Sequence, residues 1–311
     1  MGTTLDQPVH ARGIAAPRFA AGVERILTVF VNAYMVGAPG EPWVLVDTGL
    51  PGFAGAVRGA ARRRYGGDAR PEAIVLTHGH FDHAGSAIAL ADEWDVPVYA
   101  HRGELPYLTG RSDYPPRDPT VGGALGLMSR TFPTRGVNMG RRVRALPAGG
   151  VIAEMPGWRW LHTPGHTAGH VSLYRESDGL LLAGDALATV NQDSALAMVT
   201  QRPVLSVPPA PLTTDWGAAR DSVRQLAALR PWTIAAGHGR PVSGPDVAED
   251  LADFALRFQP PRRGRYAHEP AQTDHRGVIW VPPPPPDPLP KQLVVAGLVV
   301  GAVWALTREK D

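Results

Sequence analysis

Short apolar runs alternate with longer amphipathic ones along this chain, and several apolar runs end in a polar residue beside glycine. Residues 26–36 alternate in part and read as a strand, with Leu27, Val29 and Val31 on one face. The turn Gly37-Ala38-Pro39-Gly40-Glu41 then pairs it with residues 43–46. Residues 74–77 and 180–183 are unbroken apolar or β-branched stretches, the mark of buried strands; residues 96–100, 158–163, 171–174 and 232–236 add further strands. Helical patterns fall between them. One opens near Pro51, runs through Ala60 to Arg64 and stops at Gly66-Gly67, and a second carries Ile88, Leu90 and Trp94. Asp215 caps a third, with Ala218, Val223, Leu226 and Leu229 apolar, and a fourth runs from about Pro245 to Phe258. Asp178-Gly179 between two apolar runs signals a type I′ hairpin, which makes Asp178 a turn residue. The alternation predicts an α/β domain.

The chemistry sits where strands end. After Ile74-Val-Leu-Thr77 come His78, His80, Asp82 and His83 within six positions. Imidazole nitrogens and a carboxylate packed this densely suit zinc or a similar divalent ion, and one short loop cannot turn all four onto a single tetrahedral cation. His-x-His lets two rings point one way, leaving Asp82 and His83 for a second ion. The strand at 158–163 leads to Pro164-Gly165-His166 and on to His170, the strand at 180–183 to Gly184-Asp185, and the strand at 232–236 to Gly237-His238. Glycine lets backbone approach a crowded site. Two adjacent metals are expected, with ligands drawn from these later strand ends.

The order Asp47-Thr48-Gly49, Thr77-His-Gly-His-Phe-Asp-His83, Pro164-Gly-His166, Gly184-Asp185 and Gly237-His238 resembles the metallo-β-lactamase-fold hydrolases over about residues 25–257. The resemblance implies an αβ/βα sandwich of four layers, with a binuclear metal centre on the edge where the two sheets meet. It implies that His78, His80 and His166 bind one metal, that Asp82, His83 and His238 bind the other, and that Asp185 bridges them. Asp47 would orient a ligand histidine from behind. Residues 143–153 and the strand before His166 are expected in the second sheet. With no cysteine, the chain lacks the Cys ligand that many metallo-β-lactamases place where Asp185 stands. Histidine at position 80 argues against the flavodiiron branch, and there is no large insertion of the nuclease kind. Most similar is the glyoxalase II and lactonase-like part, to which His166-Thr-Ala-Gly-His170 fits.

Two divalent cations, zinc foremost with iron or manganese as alternatives, would lower a bridging water's pKa toward about 7 and polarise a carbonyl. The resemblance implies that Asp82 is the proton carrier to the leaving group. The expected reaction is hydrolysis of a small ester, thioester or lactone. The alternatives are a mononuclear-iron, persulfide dioxygenase-like oxidoreductase and a membrane-tethered, non-catalytic metal-binding module. His170 is read either as a partner behind the ligands, as an oxyanion donor or as a core histidine.

Composition trims these readings. A net charge of +2 gives no electrostatic case for a nucleic-acid surface. Residues 1–24 read as an arm without a secretory apolar segment, which favours the cytoplasm. Residues 101–141 form a long irregular connection, expected as a lid, with Tyr107, Tyr114 and Arg117 as candidate substrate contacts. Gln192 and Asp193, in a second irregular connection, could face the cleft. Beyond residue 258 a linker over 259–291 includes five consecutive prolines, Pro282 to Pro286, a stiff polyproline spacer. The uncharged run 292–307 is 16 residues long, just below the roughly 17–25 of a transmembrane helix. Flanking Lys291 and Arg308, Gly297-x-x-x-Gly301 and Trp304 suit a membrane anchor, against a small helix packed on protein.

Overall fold

Two β-sheets face each other, and helices cover both outer surfaces. The structure, a computed structural model, describes residues 20–287 and residue 289. The first sheet holds β1 (Val23–Thr28), β2 (Val31–Val36), β3 (Val44–Val46), β4 (Ala73–Val75), β5 (Val98–Ala100) and β6 (Val143–Ala145), in that spatial order. It is antiparallel from β1 to β3 and parallel from β3 to β6. The second sheet holds β7 (Trp158–His162), β8 (Val171–Arg175), β9 (Leu180–Gly184), β10 (Thr233–Ala236) and β11 (Val242–Ser243), ordered β11-β10-β9-β8-β7. A separate hairpin joins β12 (Gln272–Asp274) to β13 (Gly277–Trp280).

Because both faces of each sheet are covered, the central strands are apolar throughout. In β3, Val44 and Val46 face the other sheet while Leu45 faces the helices Ala54–Tyr65 and Ala87–Trp94. In β9, Leu180 and Leu182 face inward, whereas Leu181 and Ala183 pack with the helices Trp216–Ala227 and Val247–Arg257. This is the four-layer αβ/βα sandwich expected from sequence.

Local details differ from the sequence reading. Residues 26–36 make two strands, because Val29 takes φ 62° and reverses the chain, pairing Thr28 with Val31. Leu27 and Val29 are consequently exposed while Val31 is buried, so the three do not share a face. β6 extends the first sheet beside β5; the chain then crosses to the second sheet, where Val151 bridges Arg159 and the Gly150 carbonyl accepts the Trp160 N–H at 2.7 Å, without forming a strand there. Asp178 is a turn residue, held by the Arg175 guanidinium at 2.7 and 2.9 Å, but the loop from Arg175 to Leu180 has four residues rather than the two of a type I′ hairpin. The first helix begins at Ala54 with Phe53 as its N-cap, so Pro51 precedes it.

The stretch read as a spacer is in part folded onto the domain. Tyr266 is buried in the outer core of the second sheet and donates to the Pro116 carbonyl at 2.7 Å. Val278 donates to Ser112 at 3.2 Å, and Arg130 grips Asp287 through both carboxylate oxygens at 2.6 and 2.9 Å. These contacts strap residues 262–287 across the 101–141 connection. Residues 292–307 lie outside the described residues. Among those described, no helix is long and apolar enough to cross a membrane.

The Asp215 carboxylate accepts from the Ala218 N–H at 2.9 Å and caps its helix. Asp215→Ala is expected to lower stability by about 1 kcal/mol. Urea unfolding of the two proteins measures it as a lower midpoint at unchanged slope.

Candidate metal centre

Parallel strands deliver their carboxyl ends to one edge of the sandwich, and the polar loops that follow them meet there. Beyond β4 come His78 and His80, then Asp82 and His83 on the one-turn helix Phe81–Ala84. β9 leads into Asp185 and β10 into Gly237-His238, while His166 stands in the turn between β7 and β8. All seven side chains are buried.

Their ligating atoms form three overlapping groups, each within 4.8 Å: His78 with His80 and His166, His78 with His83 and Asp185, and Asp82 with His83 and His238. Asp185 Oδ2 is common ground. It lies 3.2 Å from His238 Nε2, 3.4 Å from His83 Nε2 and 3.6 Å from His166 Nε2. Asp82 Oδ2 lies 3.5 Å from His238 Nε2 and 3.9 Å from His83 Nε2.

Outer partners decide which nitrogen points inward. His83 Nδ1 donates to Asp47 Oδ2 at 2.9 Å and His238 Nδ1 to the Phe30 carbonyl at 3.0 Å. Thr213 gives its own proton to the Pro209 carbonyl, so its oxygen accepts from His166 Nδ1 at 3.1 Å. Thr77 likewise donates to Asp47 Oδ2 and accepts from His78 Nδ1 at 3.1 Å. These networks assign a proton to Nδ1 in four rings and turn their Nε2 atoms inward. His80 is turned the other way, with Nδ1 2.9 Å from His166 Nε2. His78 Nε2, His83 Nε2 and Asp185 Oδ1 are buried and without a hydrogen-bond partner. Orphaned atoms of this kind are rare, and inward ring nitrogens beside a carboxylate are what a divalent cation needs. The residues present fit divalent metal.

Asp47 is the hinge of this arrangement. Its backbone takes φ 57°, a left-handed conformation unusual for a non-glycine residue. Its Oδ1 accepts the Thr77 N–H at 2.8 Å, while Oδ2 reaches His83 directly and His78 through Thr77. One carboxylate therefore orients a histidine from each of two groups.

The protonation pattern follows from burial and charge. Burial, with neighbouring imidazoles, holds His78 and His166 well below the ordinary histidine range and His80 at about 3. Burial opposes charge on His83 too, but Asp185, Asp82 and Asp47 outweigh it and raise this ring well above its usual value; His238 is raised by Asp185 in the same way. Burial would raise Asp185, yet His238 and His83 hold it well below the carboxylate range. Burial does raise Asp82, against the pull of His83 and His238.

Other candidates fall elsewhere. His170 accepts from the Asp185 N–H at 2.8 Å through Nε2, and its Nδ1 faces the Thr163 carbonyl at 3.1 Å. Both nitrogens are engaged, so it fixes the strand end at Asp185 and is not available as an oxyanion donor. Tyr107 is buried and stacked on Tyr114, 4.0 Å between centroids, which removes it from the substrate contacts. Arg117 donates to the Arg130 carbonyl at 2.7 Å and serves the connection's own backbone. Tyr114 does reach the centre, with its ring 4.6 Å from that of His80, but its hydroxyl donates to Glu104. Gln192 is buried with its Oε1 unpartnered, and Asp193 receives the Ala124 N–H on its backbone carbonyl at 2.9 Å.

Sequence reasoning missed Asn32, whose side-chain amide donates to the carbonyls of Ala236 and Gly239 at 2.9 and 2.7 Å and braces the His238 turn from the opposite sheet. Its signal was a polar side chain inside the apolar run Val31-Asn-Ala-Tyr34. Glu104 was missed as well: a lone acid in an irregular stretch gives no spacing to read. Burial raises its carboxyl, against donors from Tyr114, Thr167, Gly79 and Gly169.

This fold and this cluster define a metallo-hydrolase, and the chain belongs to the metallo-beta-lactamase superfamily, whose family model matches residues 27–238. It is similar to the probable metallo-hydrolase YflN of Bacillus subtilis strain 168, at 40% identity over 242 residues, 77% of this chain and 92% of that protein. Probable metallo-hydrolase YybB of the same organism is 29% identical over 203 residues, 65% of this chain and 78% of its own length. Among solved structures, a metallo-beta-lactamase family protein from Thermus thermophilus superimposes with a TM-score of 0.54 at 23% identity, covering 77% of this chain and 80% of that one. An archaeal superfamily protein from Sulfolobus tokodaii gives 0.53 at 17%, covering 76% and 86%. At these identities the structural matches speak for the fold.

A Cβ on Gly237 would overlap Asp185 Oδ1 and lie 2.6 Å from His83 Cε1. Gly237→Ala is expected to retain the fold by circular dichroism and to lose bound metal, as measured by elemental analysis. In chelator-stripped protein, zinc should displace protons from His83 and His238, because a cation needs both rings neutral. Zinc should therefore bind more weakly at about pH 6 than at about pH 8, with protons released. Calorimetric titration in buffers of different ionisation enthalpy checks this, and equal affinity at both pH values contradicts it.

Proposed function

We propose that this chain is a hydrolase using two divalent cations, zinc foremost, to cleave a small ester, thioester or lactone. His78, His80 and His166 hold one cation, Asp82, His83 and His238 hold the other, and Asp185 spans the two. The observation that carries this reading is the position of Asp185 Oδ2, within 3.2–3.6 Å of inward nitrogens on His238, His83 and His166. When bound, such a pair of cations makes water a nucleophile near neutral pH and polarises the carbonyl under attack. The chain itself supplies orientation through Asp47, Thr77, Thr213 and the Phe30 carbonyl, each fixing one or more imidazoles. Asp82, its carboxyl raised by burial, carries the proton to the leaving group. The chain has no cysteine, so no thiolate competes with water as the nucleophile.

The flanks of the centre favour an apolar acyl portion. Phe30 lies against His238 with ring centroids 6.0 Å apart, and Phe81, between His80 and Asp82, packs on Phe132 at 5.3 Å. Half-buried rings in these places suit a hydrocarbon chain better than a charged group.

Elemental analysis of purified protein beside an assay panel of thioesters, lactones and β-lactams tests the reading. Two metal equivalents per chain are expected. His80→Ala and Asp185→Ala should each lower the hydrolytic rate by more than the 10–100-fold typical of losing an outer partner. Full rates in both variants contradict the assigned centre. One iron per chain with oxygen uptake on glutathione persulfide points to the dioxygenase-like alternative instead.

A further inference from the structure

Glu104 is completely buried at the end of the turn after β5, yet it has no place among the proposed ligands. We propose that it is a positioning residue that fastens the His78–His80 loop to the His166 loop and so sets the affinity of the three-histidine site. The inference rests on the metal reading above. Glu104 Oε2 accepts from the Gly79 N–H at 2.9 Å and from the Tyr114 hydroxyl. Oε1 accepts from Thr167 Oγ1 at 2.7 Å and from the Gly169 N–H at 2.9 Å. Gly79 is the residue between His78 and His80, and Thr167 directly follows His166. One carboxylate thus ties together two loops 86 positions apart, counted between His80 and His166. Through Tyr114, whose ring lies 4.6 Å from that of His80, it also brings the 101–141 connection against the same histidine.

The two backbone contacts explain two glycines. A Cβ on Gly169 would stand 2.6 Å from the Glu104 nitrogen and 2.8 Å from Oε1, and a Cβ on Gly79 would overlap the Tyr114 hydroxyl. Side chains are absent at the points where the carboxylate and its tyrosine close on the loops. The donor set also explains why the residue is an acid. Two acceptor oxygens meet two donors each, and a glutamine would turn an NH₂ toward one of those pairs and leave a buried N–H unpaired. None of the four donors adjoins Asp82, His83 or His238, so loss of the clamp is felt on one side of the centre.

Cobalt(II) titrated into metal-stripped protein against a competing chelator, followed by its visible absorption, gives the two affinities; His166→Ala and His238→Ala assign each to its site. Glu104→Gln should weaken the three-histidine site by about 10–100-fold and leave the other within about twofold. Tyr114→Phe and Thr167→Val, each removing one donor, should weaken the same site by a smaller factor while far-UV circular dichroism stays native. These two variants decide the matter if Glu104→Gln does not fold. Variants that take up both cobalt ions as the wild type does overturn the clamp alone, even if their melting temperature falls. Equal weakening of both sites overturns it too. A wild-type chain that takes up no cobalt overturns the metal reading and the clamp with it.

Discussion

The structure depends on one electrostatic constraint: Asp185 is buried among imidazoles that it cannot leave. Its Oδ2 stands within 3.6 Å of nitrogens on His83, His166 and His238, and its Oδ1 has no hydrogen bond. An isolated carboxylate in such a place would be strongly destabilising; surrounded by partial and full positive charge it stays ionised. The strand end that carries it is pinned by His170, which accepts the Asp185 N–H and is kept neutral by burial, at about 3. The polar cluster and the sandwich edge are in this sense one construction. The sheets bring the loops together, and the cluster holds the loops in a single arrangement.

Three buried acids do three different jobs around it. Asp185 lies between the histidine groups. Asp47, in a left-handed backbone conformation at the end of β3, orients His83 directly and His78 through Thr77. The Glu104 carboxylate hydrogen-bonds to no imidazole and instead holds the backbones on either side of the ligand histidines. The division follows from donor geometry. A carboxylate facing ring nitrogens fixes tautomers, whereas one facing amides and hydroxyls fixes loops. Asn32 and Tyr34 extend the same logic across the sandwich, each donating to the Ala236 carbonyl just ahead of Gly237-His238.

Much of this was legible in the sequence, and the reasons are local. Apolar runs as short as 180–183, bounded by glycines, read as buried strands, and a glycine beside His or Asp at each strand end marks where backbones crowd together. Residues 26–36 defeated that reasoning because the break depends on φ 62° at Val29, a β-branched residue with no turn signature. Residues 143–145 were placed in the wrong sheet because parallel pairing beside β5 is a long-range choice that no local pattern encodes. Tyr107 and Arg117 looked like substrate contacts because a long irregular connection suggests a cover. In the fold, that connection is packed and strapped by residues 262–287, and both side chains serve its own structure. Glu104 was invisible for a related reason: its four partners are set by where three loops meet.

The central claim concerns two cations around one aspartate, and diffraction from crystals of the purified protein at the absorption edge of the bound metal tests it most directly. The account predicts two anomalous peaks about 3.5–4 Å apart. One should lie against His78, His80 and His166, the other against Asp82, His83 and His238, with Asp185 between them. A single peak, or peaks away from Asp185, would contradict it.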